Sequence, residues 1–328
     1  MNDVRALRIF NDDGRIHSSI VEVSPGELGS GDVVIAAAYS SVNYKDALAA
    51  TGAGKILKKF PLVGGIDVAG TVTASGDARF KPGDEVIVTG YDLGVGSDGG
   101  YASVVRVPGD WVVRRPAGLS LREAMIYGTA GFTAGLAIVR LERAGLRPGI
   151  GPVVVTGATG GVGSIAIAVL AHLGYSVTAV TGKDGEHDYL RALGATRIQP
   201  RASLDLGTRP LEKATWAAAV DAVGGDLLAW LVRTSAYGGA VASTGLTGGT
   251  DLRLTVLPFI LRGVSLIGID SVACPADVRQ EVWRRLASDM RPASLTAIAH
   301  EITLDGLPEA FATLLQARAR GRFLVALS

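Results

Sequence analysis

The pattern of apolar and polar positions changes once along the chain. Up to about Leu121, short β-branched or alternating segments stand between Gly, Pro and Asp: Val33 to Ala38, Gly70 to Ala74, Glu85 to Thr89 and Tyr101 to Pro108. Such runs between turn formers predict strands, so this part reads as β-rich and barrel-like. The Lys81-Pro82-Gly83-Asp84 segment before Glu85 predicts a hairpin turn, because Pro fixes one dihedral and Gly admits a positive one.

Beyond Leu121, apolar segments alternate with helical ones, the signature of a parallel sheet with helices on its faces. Strands are predicted at Pro152 to Thr156, Ser176 to Thr181, Arg197 to Gln199, Ala217 to Asp221, Gly239 to Thr244 and Val264 to Ile269. Between them Ser164 to Leu173, His187 to Leu193 and Asp226 to Ser235 have helical spacing, with Gly174 and Gly194 placed as C-caps. Six strands complete a doubly wound dinucleotide fold. After Ser271 follow one amphipathic helix (Val278 to Ser288), a second (Leu307 to Arg318) and a last strand, Phe323 to Leu327. This tail is assigned back to the β-rich part. The expected domains are therefore 124–270 for the nucleotide, and 1–123 together with 271–328.

Length and composition narrow the class. At 328 residues the chain is roughly twice the usual domain length of about 150. Hydrophobic residues make up 48%, which excludes a disordered or fibrous chain. Lys plus Arg (32) balances Asp plus Glu (31) with no basic stripe, so neither nucleic acid nor an anionic membrane is an expected partner. A small molecule is. One cysteine, Cys274, rules out an intrachain disulfide and fits a reducing, cytoplasmic compartment. The segment from Met1 to Phe10 carries Asp3, Arg5 and Arg8 in place of an apolar leader core.

The chemistry starts where Val153-Val154-Val155-Thr156 runs into Gly157-Ala158-Thr159-Gly160-Gly161-Val162-Gly163 and then into a helix. Glycines let the backbone approach a pyrophosphate, and the helix N-terminus offers it free N–H groups and partial positive charge. Thr159, Gly160, Gly161 and Val162 are the expected contacts. At the end of the next strand, where an NAD enzyme would carry an acid for the ribose diol, stands Thr181-Gly182-Lys183. A hydroxyl and an ammonium suit a 2′-phosphate, which favours NADPH, although Asp184 follows at once. Arg201, after the third strand, could close on the same phosphate from its far side.

With these segments placed, the sequence resembles the zinc-free quinone-oxidoreductase branch of the medium-chain dehydrogenase/reductase superfamily, and within it the bacterial acrylyl-coenzyme A reductases. The resemblance spans essentially the whole chain. It is carried by Ser41-Val42-Asn43-Tyr44-Lys45-Asp46-Ala47-Leu48, Pro61 to Val72, Asp98-Gly99-Gly100-Tyr101-Ala102 and Gly128-Thr129-Ala130-Gly131-Phe132-Thr133-Ala134. The most subfamily-specific stretch is Leu257 to Val272, to which Val282-Trp283-Arg284-Arg285-Leu286-Ala287 adds. The fold class implied is α/β: a GroES-like catalytic domain plus a six-stranded Rossmann domain. Where the zinc branch has Cys, Gly-His-Glu and Cys, this chain has Asn43, Gly65-Ile66-Asp67 and Ala130, so no metal is expected.

The activity implied is NADPH-dependent, metal-free reduction of an activated carbon–carbon double bond, acrylyl-coenzyme A to propionyl-coenzyme A. A quinone or enone reductase is the alternative on the same scaffold, and an NADPH-binding protein without turnover a second one. The resemblance makes Tyr44 a cofactor contact first and a proton or hydrogen-bond donor second, with Asn43 either orienting it or bonding a cofactor hydroxyl. Thr129 could hold the nicotinamide carboxamide or cap a helix, and Asp67 is expected to be structural. It adds Gly245, Leu246, Ile260 and Ser271 as cofactor contacts. Lys55, Lys58 and Lys59 form the one local basic cluster and read as a solvated loop face. A homodimer is expected through strand 264–269, which has no Pro, Lys or charge to blunt a free edge.

Overall fold

The computed structural model describes residues 3–327. Contacts divide the chain into two compact units: one runs as far as Thr129 and resumes at Ile298, the other is Ala130–Ala297.

The first unit opens with β1 (Val4–Asp12) and β2 (Arg15–Val23), followed by β3 (Val33–Ser41), α1 (Tyr44–Thr51), β4 (Leu62–Val63), β5 (Asp67–Ser75), β6 (Glu85–Thr89), β7 (Val104–Val107) and β8 (Val113–Arg114). Helix α2 (Leu121–Arg143) then carries the chain into the second unit. That unit contains β9 (Val153–Val155), α3 (Gly161–His172), β10 (Val177–Thr181), α4 (His187–Ala192), β11 (Arg197–Pro200), β12 (Trp216–Asp221), α5 (Gly225–Thr234), β13 (Ser235–Ser243), α6 (Leu257–Arg262), β14 (Ser265–Gly268) and α7 (Ala276–Leu286). The chain returns to the first unit with β15 (Ala299–Ile302), α8 (Leu307–Leu315) and β16 (Arg322–Ala326).

In the first unit a seven-stranded sheet runs β15-β16-β3-β5-β6-β8, with β7 paired to β3, beside a three-stranded sheet β2-β1-β4. The β1–β2 hairpin turns at Asp13 and Gly14, whose φ values of 51° and 92° suit a type I′ turn matched to strand twist. The Lys81–Asp84 turn is the expected one, with Gly83 at φ 93° and the Asp84 carboxylate accepting the Lys81 N–H. Leu7, Ile9, Val63, Tyr101 and Phe311 share one core, and Val33, Ile35, Val68, Val88 and Val105 a second.

In the second unit the sheet order is β11-β10-β9-β12-β13-β14, parallel throughout. Counted within the unit this is 3-2-1-4-5-6, the doubly wound order whose direction reverses between β9 and β12. All six expected strands are present. β13 starts earlier than predicted because Ser235 already pairs with Trp216.

The compact units differ from the expected domain division at both ends. The second unit extends to Ala297 instead of 270, because α7 packs within it: Trp283 stacks on Phe132 at 5.9 Å, and Arg285 and Glu281 pair with Glu142 and Arg143. Only the later part of the tail, with α8 and β16, rejoins the first unit. The start moves from 124 to Ala130, just after α2 kinks at Gly128 (φ 49°, ψ −154°). A Cβ at Gly128 would stand 2.3 Å from Ser41 Oγ and 2.6 Å from Asp67 Oδ2, so both the kink and the close approach demand glycine. Helix α2 is long and apolar enough to cross a membrane, yet 89% of its most apolar window is buried inside the protein, as in a core helix.

Candidate active site

In the second unit, β9 delivers the chain to the glycine loop and α3 leaves from it. Gly157 has φ 59°, and Gly160 is the N-cap of α3. The glycines divide their work. A Cβ on Gly163 would meet Gly157 O at 2.3 Å and Ala158 Cα at 2.8 Å, so the fold itself requires that glycine. A Cβ on Gly160 would meet only Gly157 O, at 3.3 Å, leaving open space in front of the helix N-terminus. Thr159 is buried, while Gly161 and Val162 are half-buried in the first turn. This is a cradle in which a pyrophosphate would be met by backbone N–H groups and the positive end of the α3 dipole.

At the end of β10, buried Thr181 accepts the Lys183 N–H on its Oγ1 at 3.0 Å. Arg201, which follows β11, lies over Gly182: a Cβ there would be 3.5 Å from its Cζ. The structure thus brings Thr181, Gly182, Lys183 and Arg201 together, two cations beside an exposed glycine. Partial burial pulls the Lys183 ammonium below its ordinary pKa, against the opposing Glu186 charge.

Asp221, not foreseen from the sequence, fixes the switch point. It is buried at the end of β12, accepts Thr156 Oγ1 at 2.6 Å and the Gly224 N–H at 2.8 Å, and so ties β9 to β12. Burial raises its pKa. Gly245 has a packing reason of its own, since a Cβ there would meet Ala222 O at 2.1 Å. Leu246 and Ile260 are 58% and 67% exposed. Ser271 follows β14 and is half-buried.

In the first unit, Asn43 is the N-cap of α1 and Tyr44, 37% exposed, its first residue. Behind them lies a buried polar cluster. Asp67 Oδ2 accepts Ser41 Oγ at 2.6 Å, Asn43 Nδ2 at 2.7 Å and the Thr129 N–H at 2.9 Å, and its Oδ1 accepts the Thr129 hydroxyl. Asp67 therefore caps α2 where that helix restarts after Gly128. Arg322, brought in by β16 and 3% exposed, stands 3.7 Å from Asp67 and donates to Ser41 Oγ, Val42 O and Asn43 Oδ1. Asp46, three residues into α1, accepts the Asn43 and Ile66 N–H groups. Its pKa is pushed up to about 7, first by burial and then by the neighbouring Asp67 charge. Asp46 and Arg322 were not foreseen; the Asn43-x-x-Asp46 spacing of a capping box was the available signal for the first.

The folded state holds the Asp46 proton more tightly than the unfolded chain, so stability should fall as pH rises from about 4 through about 7. The loss is of order 4 kcal/mol as an upper bound. Asp46→Asn, which cannot ionise, should flatten that decline in urea unfolding measured at pH 5 and pH 8. Equal slopes in both proteins would refute the assignment.

A zinc ion does not fit these residues. Among the described residues there is no group of three or more His, Cys, Asp or Glu that could hold a metal, and the Asp67 oxygens are already taken up by hydroxyl, amide and backbone donors beside a guanidinium.

Comparison with known proteins gives the family. The family model for the alcohol dehydrogenase GroES-like domain matches residues 29–117, and that for zinc-binding dehydrogenase residues 161–288. The Bacillus subtilis protein YhfP, named provisionally as a quinone oxidoreductase, is 51% identical over 96% of each chain. Its structure with NAD bound superposes with a TM-score of 0.97, covering 100% of both chains. The acrylyl-CoA reductase AcuI of Ruegeria pomeroyi is 49% identical over 95% of each chain. The YhdH oxidoreductase of Salmonella enterica, solved in complex with NADP, has 50% identity and a TM-score of 0.96, covering 99% of this chain and 100% of its own.

Proposed function

Because this chain belongs to the medium-chain dehydrogenase/reductase superfamily, in the group that contains these acrylyl-CoA reductases and quinone oxidoreductases, we propose that it is an NADPH-dependent, metal-free reductase of activated carbon–carbon double bonds, acting on acrylyl-coenzyme A to give propionyl-coenzyme A. The observation that carries the cofactor choice is the pair of cations, Lys183 and Arg201, around Gly182 beside the glycine cradle. NADPH, when bound, supplies the hydride for the β-carbon. Thr159, Gly160, Gly161 and Val162 hold the pyrophosphate; Thr181, Lys183 and Arg201 hold the 2′-phosphate. Leu246 and Ile260 cover apolar parts of the cofactor, with Gly245 and Ser271 beside them.

Tyr44 donates the proton or hydrogen bond that meets charge developing on the substrate, a role open to a phenolic hydroxyl. The Asp67 cluster holds Asn43, which orients Tyr44, and Thr129, whose hydroxyl donates to Asp67 and which meets the carboxamide. The donor set contains no thiol or imidazole, so charge in the substrate is met by hydrogen bonds and not by a Lewis acid. The likeness to YhfP supports a second reading, reduction of quinones. NADPH consumption measured side by side with acrylyl-coenzyme A, crotonyl-coenzyme A and a benzoquinone separates them. A kcat/KM for the benzoquinone above that for both thioesters would overturn the acyl-coenzyme A assignment.

We further propose that the protein is a homodimer. Among the described residues β14 lies at the edge of its sheet and pairs with β13 alone, and Val256 and Leu261, shortly before it in sequence, are 64% and 57% exposed. An isologous pairing of two such edges would satisfy the open backbone groups. Leu266→Lys with Ile267→Pro should shift sedimentation from dimer to monomer while the thermal melt stays cooperative. A wild-type protein that sediments as a monomer at micromolar concentration would end this proposal. One cysteine and no possible intrachain disulfide support a cytoplasmic location.

A further inference from the structure

We propose that Arg279 is a positioning residue for the reaction: it holds the Ser271–Val272 loop in the shape that receives the nicotinamide end of the cofactor. The proposal rests on the NADPH reading above. Arg279 lies on the buried face of α7 and is 1% exposed. A guanidinium is costly to bury unless its donors are used, and Nη2 of this one is used on backbone. Its Nη2 donates to Ser271 O at 3.0 Å and to Val272 O at 3.1 Å. Its Cζ stands 4.8 Å from the centre of the Phe132 ring, and Phe132 is stacked in turn on Trp283.

The same loop is gripped from the amide side. Asp270 Oδ1 accepts the Val272 N–H at 2.8 Å and the Ala273 N–H at 3.3 Å, the local bend that aspartate makes in turns. The carbonyls of Ser271 and Val272 and the amides of Val272 and Ala273 are therefore all held by side chains.

Position in the sheet gives the purpose. The 2′-phosphate cations follow β10 and β11, and Ser271 follows β14 at the other edge. Four strand spacings separate β10 from β14, about 19 Å, the reach of an extended dinucleotide from its phosphorylated ribose to its nicotinamide. Both lie at the carboxyl ends of parallel strands, where ligands bind such sheets. Arg279 thus acts on one end of the cofactor and leaves the other untouched. It also gives a role to the late segments that carry the family resemblance: Ser271 and Val272 are the loop, and Trp283 backs the ring under the guanidinium.

The test separates the two ends. Affinities for NADPH and for 2′,5′-ADP, which carries only the adenosine half, are measured by calorimetry on the intact wild-type protein and on Arg279→Lys. Lysine keeps the charge but loses the planar fork. The variant should bind NADPH about tenfold more weakly, with kcat reduced, and bind 2′,5′-ADP within about twofold of wild type. A general loss of structure would weaken both ligands together, so an unchanged ratio of the two affinities overturns the proposal. Phe132→Leu removes the ring beneath the guanidinium and should move the same ratio in the same direction. It carries the test if Arg279→Lys does not fold. If the wild type binds neither ligand, the cofactor reading fails and this proposal with it; if the wild type binds both and the variants leave their ratio unchanged, only this proposal fails.

Discussion

Asp67→Ala is expected to destabilise the protein by about 3–5 kcal/mol, the range for breaking a buried charge pair by removing one partner. The carboxylate is fully buried and receives donors from Ser41, Asn43 and Thr129. Its loss strands those donors and leaves Arg322, itself 3% exposed, with its charge answered less well. The effect should be non-additive. Arg322→Met in the Asp67→Asn background should cost less than the two single changes together, because the second replacement removes the charge that the first left uncompensated. Urea unfolding of the four proteins gives the coupling directly. A loss below about 1 kcal/mol for Asp67→Ala, as for an exposed ion pair, would mean that the cluster does not hold the first unit together.

Lys183→Glu is expected to raise the KM for NADPH roughly 30-fold. It removes an attraction and adds a repulsion of about 1 kcal/mol each at the 2′-phosphate. NADH, without that phosphate, should be nearly unaffected, so the NADPH to NADH preference should fall by the same factor. Arg201 lies against the same glycine, and Arg201→Ala should reproduce part of the change. Steady-state kinetics with both cofactors decide the matter: a preference unchanged in Lys183→Glu would show that the 2′-phosphate is bound elsewhere.

The sheet of the second unit was legible because a parallel strand buried on both faces is written as a continuous apolar run, as in Val153-Val154-Val155, and its neighbours repeat the pattern. The glycine loop was legible for a related reason, since its spacing is set by backbone approach and not by any distant partner. The β1–β2 hairpin was not read, although Asp13-Gly14 is a strong turn signal. Arg5 and Arg8 interrupt the apolar pattern, and Ala6 and Leu7, neighbours in sequence, are both buried. Helix α2 was hidden by Gly128, Thr129 and Gly131, poor helix formers placed at a kink that tertiary packing imposes. Least legible was the Asp67 cluster. Arg322 and Ser41 are 281 residues apart, and no local pattern records a pairing at that distance.

That same separation sets an order of events in synthesis. β3 acquires its neighbour β16, through Leu324 opposite Ser41, only after the whole of Ala130–Ala297 has been made. The intervening unit is continuous in sequence and its sheet is completed from within, so it can fold while still attached to the ribosome. The earlier stretch must wait, with one edge of its sheet open and a carboxylate lacking the guanidinium that neutralises it. A nascent chain stalled before Arg322 should accordingly be cut by protease in the Val4–Arg114 region while Val153–Leu286 resists, and release of the final strand should protect both.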